Sequence, residues 1–155
     1  PTSEQVIKEL EGYMDYKDYV FCGFGEPLYS LENIIKVAGY LKKKEKYTRI
    51  NTNGQADLIY KEMTSIDVAK KLAGVIDEVS ISLNAPDAKS YQNICHCAFG
   101  EEGYYSMLRF ASACKEQGIK VKLSIVDCVG KEKIERAKVI AQRLGVELRV
   151  REYVN

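Results

Sequence analysis

The chain has 155 residues, of which 46% are apolar and 29% are charged, and its 23 basic and 22 acidic side chains leave a formal net charge of +1. This length and apolar content suit one folded domain, so disordered, collagen-like and small disulfide-stapled proteins are excluded as classes. The near-zero net charge gives no strong signal for nucleic-acid binding, and no apolar run approaches the roughly 18 residues of a membrane span.

Short apolar runs alternate along the chain with longer amphipathic stretches, which is the sequence pattern of βα units. The predicted strands are residues 19–23, 48–53, 78–83, 120–126 and 147–153. Helices are predicted over residues 2–11, 31–44, 66–72, 87–95, 104–117 and 132–144. At the first helix Thr2 and Gln5 have capping-box spacing, and Ser30 and Ser65 are predicted to cap the next two helices.

The strands recur about every 30 residues, as expected of βα units in a parallel sheet, whether a barrel or a doubly wound sheet. A barrel of eight such units needs about 250 residues, so this chain holds about five units. In both architectures ligands collect at the carboxyl ends of the strands, where the βα loops meet. We therefore expect the functional site in the loops that follow the strands.

The loop after the first strand is the most specific of these. Gly23 and Gly25 allow the backbone to approach a ligand closely, and Glu26 adds a carboxylate suited to an ammonium or a hydroxyl group. A dinucleotide-binding loop would need a third glycine where Leu28 stands, and no lysine follows to make a phosphate loop. The loop is therefore expected to bind a ligand other than a phosphate group, or to be a tight strand-to-helix turn.

The second and third loops add polar side chains at the same edge. Thr52 and Asn53 lie on opposite faces of the second strand. Ser80, Ser82 and Asn84 alternate along the third strand and are expected to share one face. If that face points into a barrel, Ser82 and Asn84 offer a hydroxyl and an amide to a ribose, whereas Ser80 is expected to be a small packed residue.

The cysteines and the single histidine give no clear metal site. Cys95 and Cys97 flank His96, but neighbouring helical residues diverge and a fourth ligand is not evident, so we expect no bound metal. Cys22, Cys114 and Cys128 are interpreted as ordinary thiols, and an odd number of cysteines without a secreted spacing pattern favours the cytoplasm. With one histidine on a crossover, no Ser-His-Asp arrangement is credible, and the catalytic residues are not identified.

In chain order, these loop motifs resemble the radical S-adenosylmethionine (SAM) enzymes, a family with a partial (β/α)6 TIM-like barrel. Phe24-Gly25-Glu26-Pro27 is similar to the family's GGEP motif, and Thr52-Asn53-Gly54 is similar to its TNG strand end. Residues 79–85 resemble the VSLDA ribose-binding strand, with Asn84 where Asp is often found, and residues 118–121 resemble the Gly-Ile-x-Val start of the fifth strand. The resemblance covers nearly the whole chain, and residues 21–27, 51–55, 80–87 and 150–153 are most similar to the TatD-linked subgroup.

The resemblance implies that SAM is the cofactor. The residues it implies for cofactor binding are Gly23, Phe24, Gly25, Glu26, Thr52, Asn53, Ser82 and Asn84. It also implies a [4Fe-4S] cluster, but the family's CxxxCxxC loop is absent from this sequence. We therefore expect residues 1–155 to be one partial-barrel domain that is N-terminally incomplete by about 45 residues, one further βα unit, and to be inactive by itself.

The function expected from the resemblance is reductive cleavage of SAM by the full-length parent, which generates a 5′-deoxyadenosyl radical for hydrogen abstraction. An activase for a glycyl radical protein and a peptide or RNA modifier are the possibilities for its unknown substrate. Candidates for polar positions in the barrel lumen are Asn51, Lys122, Arg149 and Arg151. The alternatives are a non-redox module that binds a nucleoside or a protein such as a TatD-type nuclease, and a doubly wound sheet with another ligand.

Overall fold

The computed structural model describes residues 1–154, in which five parallel strands form one sheet. The strands are β1 (Asp18–Phe21), β2 (Tyr47–Thr52), β3 (Glu78–Ser82), β4 (Lys120–Val126) and β5 (Glu147–Arg151). They pair in chain order from β1 to β5. A doubly wound sheet would reverse this order at a switch point, so the sheet is of the barrel type, as the partial (β/α)6 prediction requires.

Helices connect the strands and cover one face of the sheet. They are α1 (Ser3–Leu10), α2 (Leu31–Lys43), α3 (Ala56–Ile59), α4 (Ser65–Leu72), α5 (Ala88–Cys95), α6 (Glu102–Glu116) and α7 (Lys131–Leu144). Short 3-10 turns occupy Glu11–Tyr13, Pro27–Ser30 and Asp127–Val129. Within residues 1–154, no helix is long and apolar enough to cross a membrane.

Every predicted strand is present, but β1, β2, β3 and β5 end one or two residues earlier than the sequence predicted. At β5 the reason is visible in the hydrogen bonds. The backbone N–H of Tyr153 donates to the Asp127 carboxylate at 2.9 Å, so the chain leaves the strand ladder to bond with the loop after β4.

The capping prediction at α1 is confirmed, and the one at α4 is wrong by one residue. The Gln5 N–H donates to the Thr2 hydroxyl, and the Thr2 N–H donates to the Gln5 side chain. At α4 the cap is Thr64, whose reciprocal bonds run to Asp67, and the predicted cap Ser65 is the first helical residue. Either hydroxyl could cap, but only Thr64 has an acidic residue at the third helical position to complete the capping box.

Ser30 occupies the N-cap position of α2, as predicted, but its side chain makes no capping hydrogen bond. The 3-10 turn Pro27–Ser30 precedes the helix, and Glu26 caps that turn by accepting a hydrogen bond from the Leu28 N–H at 2.9 Å. Glu26, whose carboxylate was predicted to contact a ligand, therefore caps the 3-10 turn that precedes α2.

The two faces of the sheet differ completely in chemistry. The helix-covered face carries buried Ile50, Ile81 and Leu123, and full burial of each such side chain contributes about 1.5–3 kcal/mol. The opposite face carries Arg49 and Lys122 together with further polar side chains at the paired positions. Because charged side chains cannot form a core without partners, this second face is the lumen of the partial barrel.

Candidate functional site

Glu26 ties the loop after β1 to the end of β2. One carboxylate oxygen accepts hydrogen bonds from the Leu28 N–H at 2.9 Å and the Thr52 hydroxyl at 2.6 Å. The other accepts from the backbone N–H of Asn53 at 2.7 Å. The sequence predicted a carboxylate suited to an ammonium or a hydroxyl group, and in the structure both of its oxygens accept hydrogen bonds that join the two loops. Hydrogen bonds to an ionised acceptor are the stronger kind, so this carboxylate holds the loops in a defined position.

Thr52 links Glu26 to the backbone of Gly54 through its hydroxyl group. Its side chain is almost fully buried, and its oxygen also accepts a hydrogen bond from the Gly54 N–H at 2.9 Å. Gly54 has φ +74°, and a Cβ there would lie 3.1 Å from the Ile81 side chain. Thr52 is therefore a positioning residue, whereas the exposed Asn53 is the one whose side chain can reach a ligand.

The loop that Glu26 holds presents open backbone at the rim. Phe24 is fully exposed, and Gly25 has φ +103° with no atom within 4 Å of an added Cβ. Within residues 1–154, the backbone N–H and C=O groups of Phe24 and Gly25 make no hydrogen bond. The residues around this loop line a cavity of about 370 Å³, which we call the first-loop cavity and whose lining includes Gly23 and Ile34 of α2.

The prediction that Ser80, Ser82 and Asn84 share one face is correct for the two serines only. Ser80 and Ser82 line the lumen, so the expectation that Ser80 is a packed residue is wrong. Asn84 lies beyond the end of β3 with φ +58°, and its amide nitrogen donates to the Cys95 sulfur at 3.3 Å. The strand alternation no longer applies once the backbone enters this left-handed conformation, which Asn tolerates better than most residues.

Asn84 faces a cavity of about 510 Å³ between the rim loops and the segment after α5, which we call the crossover cavity. Its inner wall is a hydrogen-bonded group that the sequence did not reveal. The Gln55 amide nitrogen donates to the Tyr91 hydroxyl at 2.8 Å and to the Cys97 sulfur at 3.2 Å. Burial raises the pKa of the Tyr91 hydroxyl, which keeps it protonated. Only the position of Gln55 directly after Thr52-Asn53-Gly54 hinted at this role.

The residues around His96 do not form a metal centre. His96 is exposed in the left-handed conformation at the end of α5, with φ +47°. Burial raises the pKa of the Cys95 thiol, whose sulfur accepts a hydrogen bond from the Asn84 amide. Among residues 1–154, no group of three His, Cys, Asp or Glu side chains is placed to hold a metal ion.

The lumen brings together four cationic side chains from three strands, as the sequence suggested for three of them. The cations of this lumen cavity, which has a volume of about 200 Å³, are Arg49, Lys122, Arg149 and Arg151. Asn51, Ser80, Ser82 and Ser124 supply neutral polar groups beside them. Among residues 1–154, Glu78 is the one carboxylate of the lining.

Glu78 is nearly buried and is held by its neighbours. It accepts a hydrogen bond from the Tyr47 hydroxyl at 3.1 Å and lies 3.3 Å from the Lys122 ammonium and 3.7 Å from that of Lys120. Burial and the adjacent Glu78 raise the pKa of Tyr47 to about 12, so Tyr47 remains a hydrogen-bond donor. The carboxylate thus has one hydrogen-bond donor and two ion-pair partners from within the sheet.

The sequence profile of the Radical SAM superfamily matches residues 1–144. Two solved structures share the fold: the crystal structure of Streptococcus suis SuiB, with a TM-score of 0.73 at 16% identity, and that of SuiB bound to S-adenosylmethionine, with a TM-score of 0.77 at 19% identity. Each similarity covers 100% of this chain and 34% of the SuiB chain, so the chain spans about a third of those proteins. No curated protein sequence matches the chain.

Proposed function

The chain belongs to the radical SAM superfamily, and from this premise we propose that it forms the SAM-binding rim and the substrate lumen of a larger radical enzyme. In this family a [4Fe-4S] cluster and SAM together supply a 5′-deoxyadenosyl radical that abstracts hydrogen from a substrate. Family membership favours this function over the non-redox binding module.

The observation that carries the proposal is the set of hydrogen bonds from Leu28, Thr52 and Asn53 to the Glu26 carboxylate, which we call the Glu26 clamp. It holds the loop of Phe24 and Gly25 so that polar backbone groups without partners face the rim, and such groups suit the amino and carboxylate ends of the methionine part of SAM. Asn53 is held next to this loop because its backbone N–H donates a hydrogen bond to the Glu26 carboxylate. We infer that the loop receives the methionine part and that Thr52 acts only by positioning it.

For the ribose, Ser82 and Asn84 remain our proposed partners from two sides of the end of β3. Ser82 presents its hydroxyl to the lumen, and Asn84 presents its amide to the crossover cavity. One amide N–H donates to Cys95, which leaves the amide oxygen to accept a hydrogen bond from a ribose hydroxyl and the second N–H to donate one.

The residues of this chain do not fit the [4Fe-4S] cluster. Cys114 is buried in α6, Cys22 and Cys128 lie at the ends of different strands, and no metal-binding group occurs within residues 1–154. We propose that the cluster ligands belong to sequence outside these 155 residues, in keeping with the third of SuiB that the chain spans.

The substrate and a TatD-type partner stay predictions, and the five unpaired thiols support the cytoplasm as the proposed compartment.

Calorimetric titration with S-adenosylhomocysteine tests whether the rim binds the cofactor without the cluster. We expect saturable binding that Gly25→Ala weakens, because a side chain at φ +103° forces the loop backbone to move. Gly74→Ala is the matched control, since Gly74 also has positive φ and open space but lies after α4. Absence of binding, or equal effects of the two substitutions, would contradict the proposal.

The reaction itself is tested on a longer protein that contains this sequence. After anaerobic reconstitution with iron and sulfide, addition of dithionite and SAM should yield 5′-deoxyadenosine. If the reconstituted cluster forms and no 5′-deoxyadenosine appears, the proposed radical chemistry is wrong.

A further inference from the structure

The lumen cavity carries a charge imbalance that the protein does not neutralise. Of the residues that the structure describes, four cations and one carboxylate line it, which leaves a net charge of +3. The carboxylate, Glu78, lies within 4.0 Å of Lys122 but not of any of the three arginines. Within residues 1–154, no carboxylate forms an ion pair with Arg49, Arg149 or Arg151.

Arg49, one of the four cations, also has a nitrogen atom without a hydrogen-bond partner in the described chain. Its Nε is buried and has no hydrogen-bond partner within the described chain. An unpaired donor of this kind costs about 1–3 kcal/mol in the folded protein. Such a group is explained if a ligand supplies the acceptor.

The size and lining of the cavity indicate which part of a ligand fits. At about 200 Å³ it is smaller than the roughly 300–1,000 Å³ of complete small-molecule sites, so it holds one group of a larger molecule. Ser80 and Ser124 add hydroxyl donors, and among residues 1–154 no aromatic side chain lines the cavity to stack on a base. These features favour an oxyanion and disfavour a nucleobase.

We propose that the lumen cavity binds a carboxylate or phosphate group of the substrate; this inference rests on the proposed function. Arg151 and Ser82 lie at the carboxyl ends of β5 and β3, whereas Arg49 and Glu78 lie deeper in the sheet. A substrate that enters from the rim would thus place its anionic group among the arginines and keep the rest of the molecule near the rim loops. Guanidinium groups suit both oxyanions because their N–H donors match the spacing of two oxygens.

The test is a calorimetric titration of the chain with inorganic phosphate and, separately, with glutarate, each at constant ionic strength against chloride. Saturable binding is expected, and the probe that binds more tightly identifies the oxyanion. Arg149→Gln and Arg151→Gln should each weaken binding roughly threefold to tenfold, because each removes charged donors from the cavity. Glu78→Gln should tighten it, because the substitution removes the one negative charge of the lining.

The matched control is Arg143→Gln, an exposed arginine in the last turn of α7, which should leave anion affinity unchanged. Melting curves of all variants show whether they fold. The inference is overturned if folded Arg149→Gln and Arg151→Gln behave like Arg143→Gln, or if no anion binds saturably.

Competition with S-adenosylhomocysteine separates this inference from the proposed function. If both ligands bind at once, the cations serve the substrate. If S-adenosylhomocysteine displaces the anion, the cations hold the cofactor's own carboxylate and the substrate assignment is wrong. Retained S-adenosylhomocysteine binding without anion binding defeats this inference alone, whereas anion binding without S-adenosylhomocysteine binding defeats the proposed function.

Discussion

The carboxylate of Glu26, in the loop after β1, accepts a hydrogen bond at 2.6 Å from the hydroxyl of Thr52, the last residue of β2. The two residues are 26 positions apart, so the bond joins two consecutive βα units at the rim. Phe24 and Gly25, whose backbone is open, directly precede Glu26 in the first of these units. The shape of the proposed cofactor site therefore depends on a carboxylate that bonds mainly to protein.

Glu26→Gln should impair both stability and ligand binding. The amide keeps the size of the side chain but replaces one acceptor oxygen with a donor, which opposes the N–H of Asn53 or the hydroxyl of Thr52. We expect a loss of about 1–2 kcal/mol in the free energy of unfolding and roughly tenfold weaker S-adenosylhomocysteine binding. Urea denaturation and calorimetry measure the two effects.

Glu32→Gln is the matched control for that experiment. Glu32 is an exposed side chain that pairs with Lys71 at 3.1 Å, and an exposed pair of this kind contributes less than about 1 kcal/mol. If Glu26→Gln and Glu32→Gln have equal effects, Glu26 does not clamp the rim.

Gly54→Ala should destabilise the protein more than Gly74→Ala. Both glycines have positive φ, so both substitutions carry the cost of a strained backbone. Only at Gly54 would the new methyl group also crowd Ile81, at 3.1 Å, and Met107, at 3.4 Å. We expect an additional loss of about 1–3 kcal/mol, measured by urea denaturation, and equal losses would show that the rim tolerates the crowding.

S-Adenosylhomocysteine should protect Cys22 from alkylation but not Cys128. Both thiols are exposed, but only Cys22 lines the first-loop cavity beside Gly23. At a ligand concentration ten times Kd, protection of Cys22 should reach about tenfold, because only the free protein reacts. Peptide mapping by mass spectrometry follows each site, and equal protection of Cys22 and Cys128 would place the ligand elsewhere.

Cys114 provides an internal measure of folding in the same experiment. Its thiol is buried in α6, and burial raises its pKa, so both access and reactivity are low in the folded protein. Alkylation of Cys114 should appear only under unfolding conditions. Its modification in the native protein would show that the variant or condition had opened the core.

The contribution of Asp77 to stability should disappear in acid. Burial by itself would raise the pKa of Asp77, but hydrogen bonds from the Lys42 ammonium at 2.5 Å and the Thr48 N–H at 2.8 Å outweigh it and lower the pKa. A carboxyl whose pKa is lower in the folded state stabilises that state above its unfolded pKa, about 3.9, and loses this contribution as pH falls through the folded pKa.

Asp77→Asn should therefore lower the free energy of unfolding by about 1–2 kcal/mol at pH 7, and the difference from the unmodified protein should shrink below about pH 4. Urea denaturation across this pH range measures it. A difference that stays constant down to pH 2 would mean that the charge of Asp77 is not what stabilises the fold.

The order of the secondary structure was readable from the sequence because it depends on local periodicity. Apolar runs with alternating polar residues predicted all five strands, and the capping box at Thr2 predicted the start of α1. The cap predicted at Ser65 is Thr64 instead, and Ser30 is at the predicted cap position of α2 without the expected side-chain hydrogen bond. At α4 the neighbouring Thr64 takes the capping role, and local pattern does not decide which of two adjacent hydroxyl groups does so.

The site was predicted in composition but not in arrangement. The residues of the rim motifs do occur at the strand ends, and Lys122, Arg149 and Arg151 do meet in the lumen. The sequence missed the hydrogen bonds that Gln55 donates to Tyr91 and Cys97, which lie 36 and 42 positions after it in the chain. Contacts over such separations depend on how the crossover folds back over the rim.

By itself, the sequence determined the family, the succession of βα units and the side chains available at the rim, because each follows from short motifs and from the repeat of strand and helix. The tertiary structure alone decided that Glu26 bonds to Thr52 and Asn53, that Asn84 turns away from Ser82, and that the arginines of the lumen lie together without carboxylate partners within the described chain. The physical reason is that hydrogen bonding and charge neutralisation depend on distance in space, which parallel pairing of strands far apart in the chain sets.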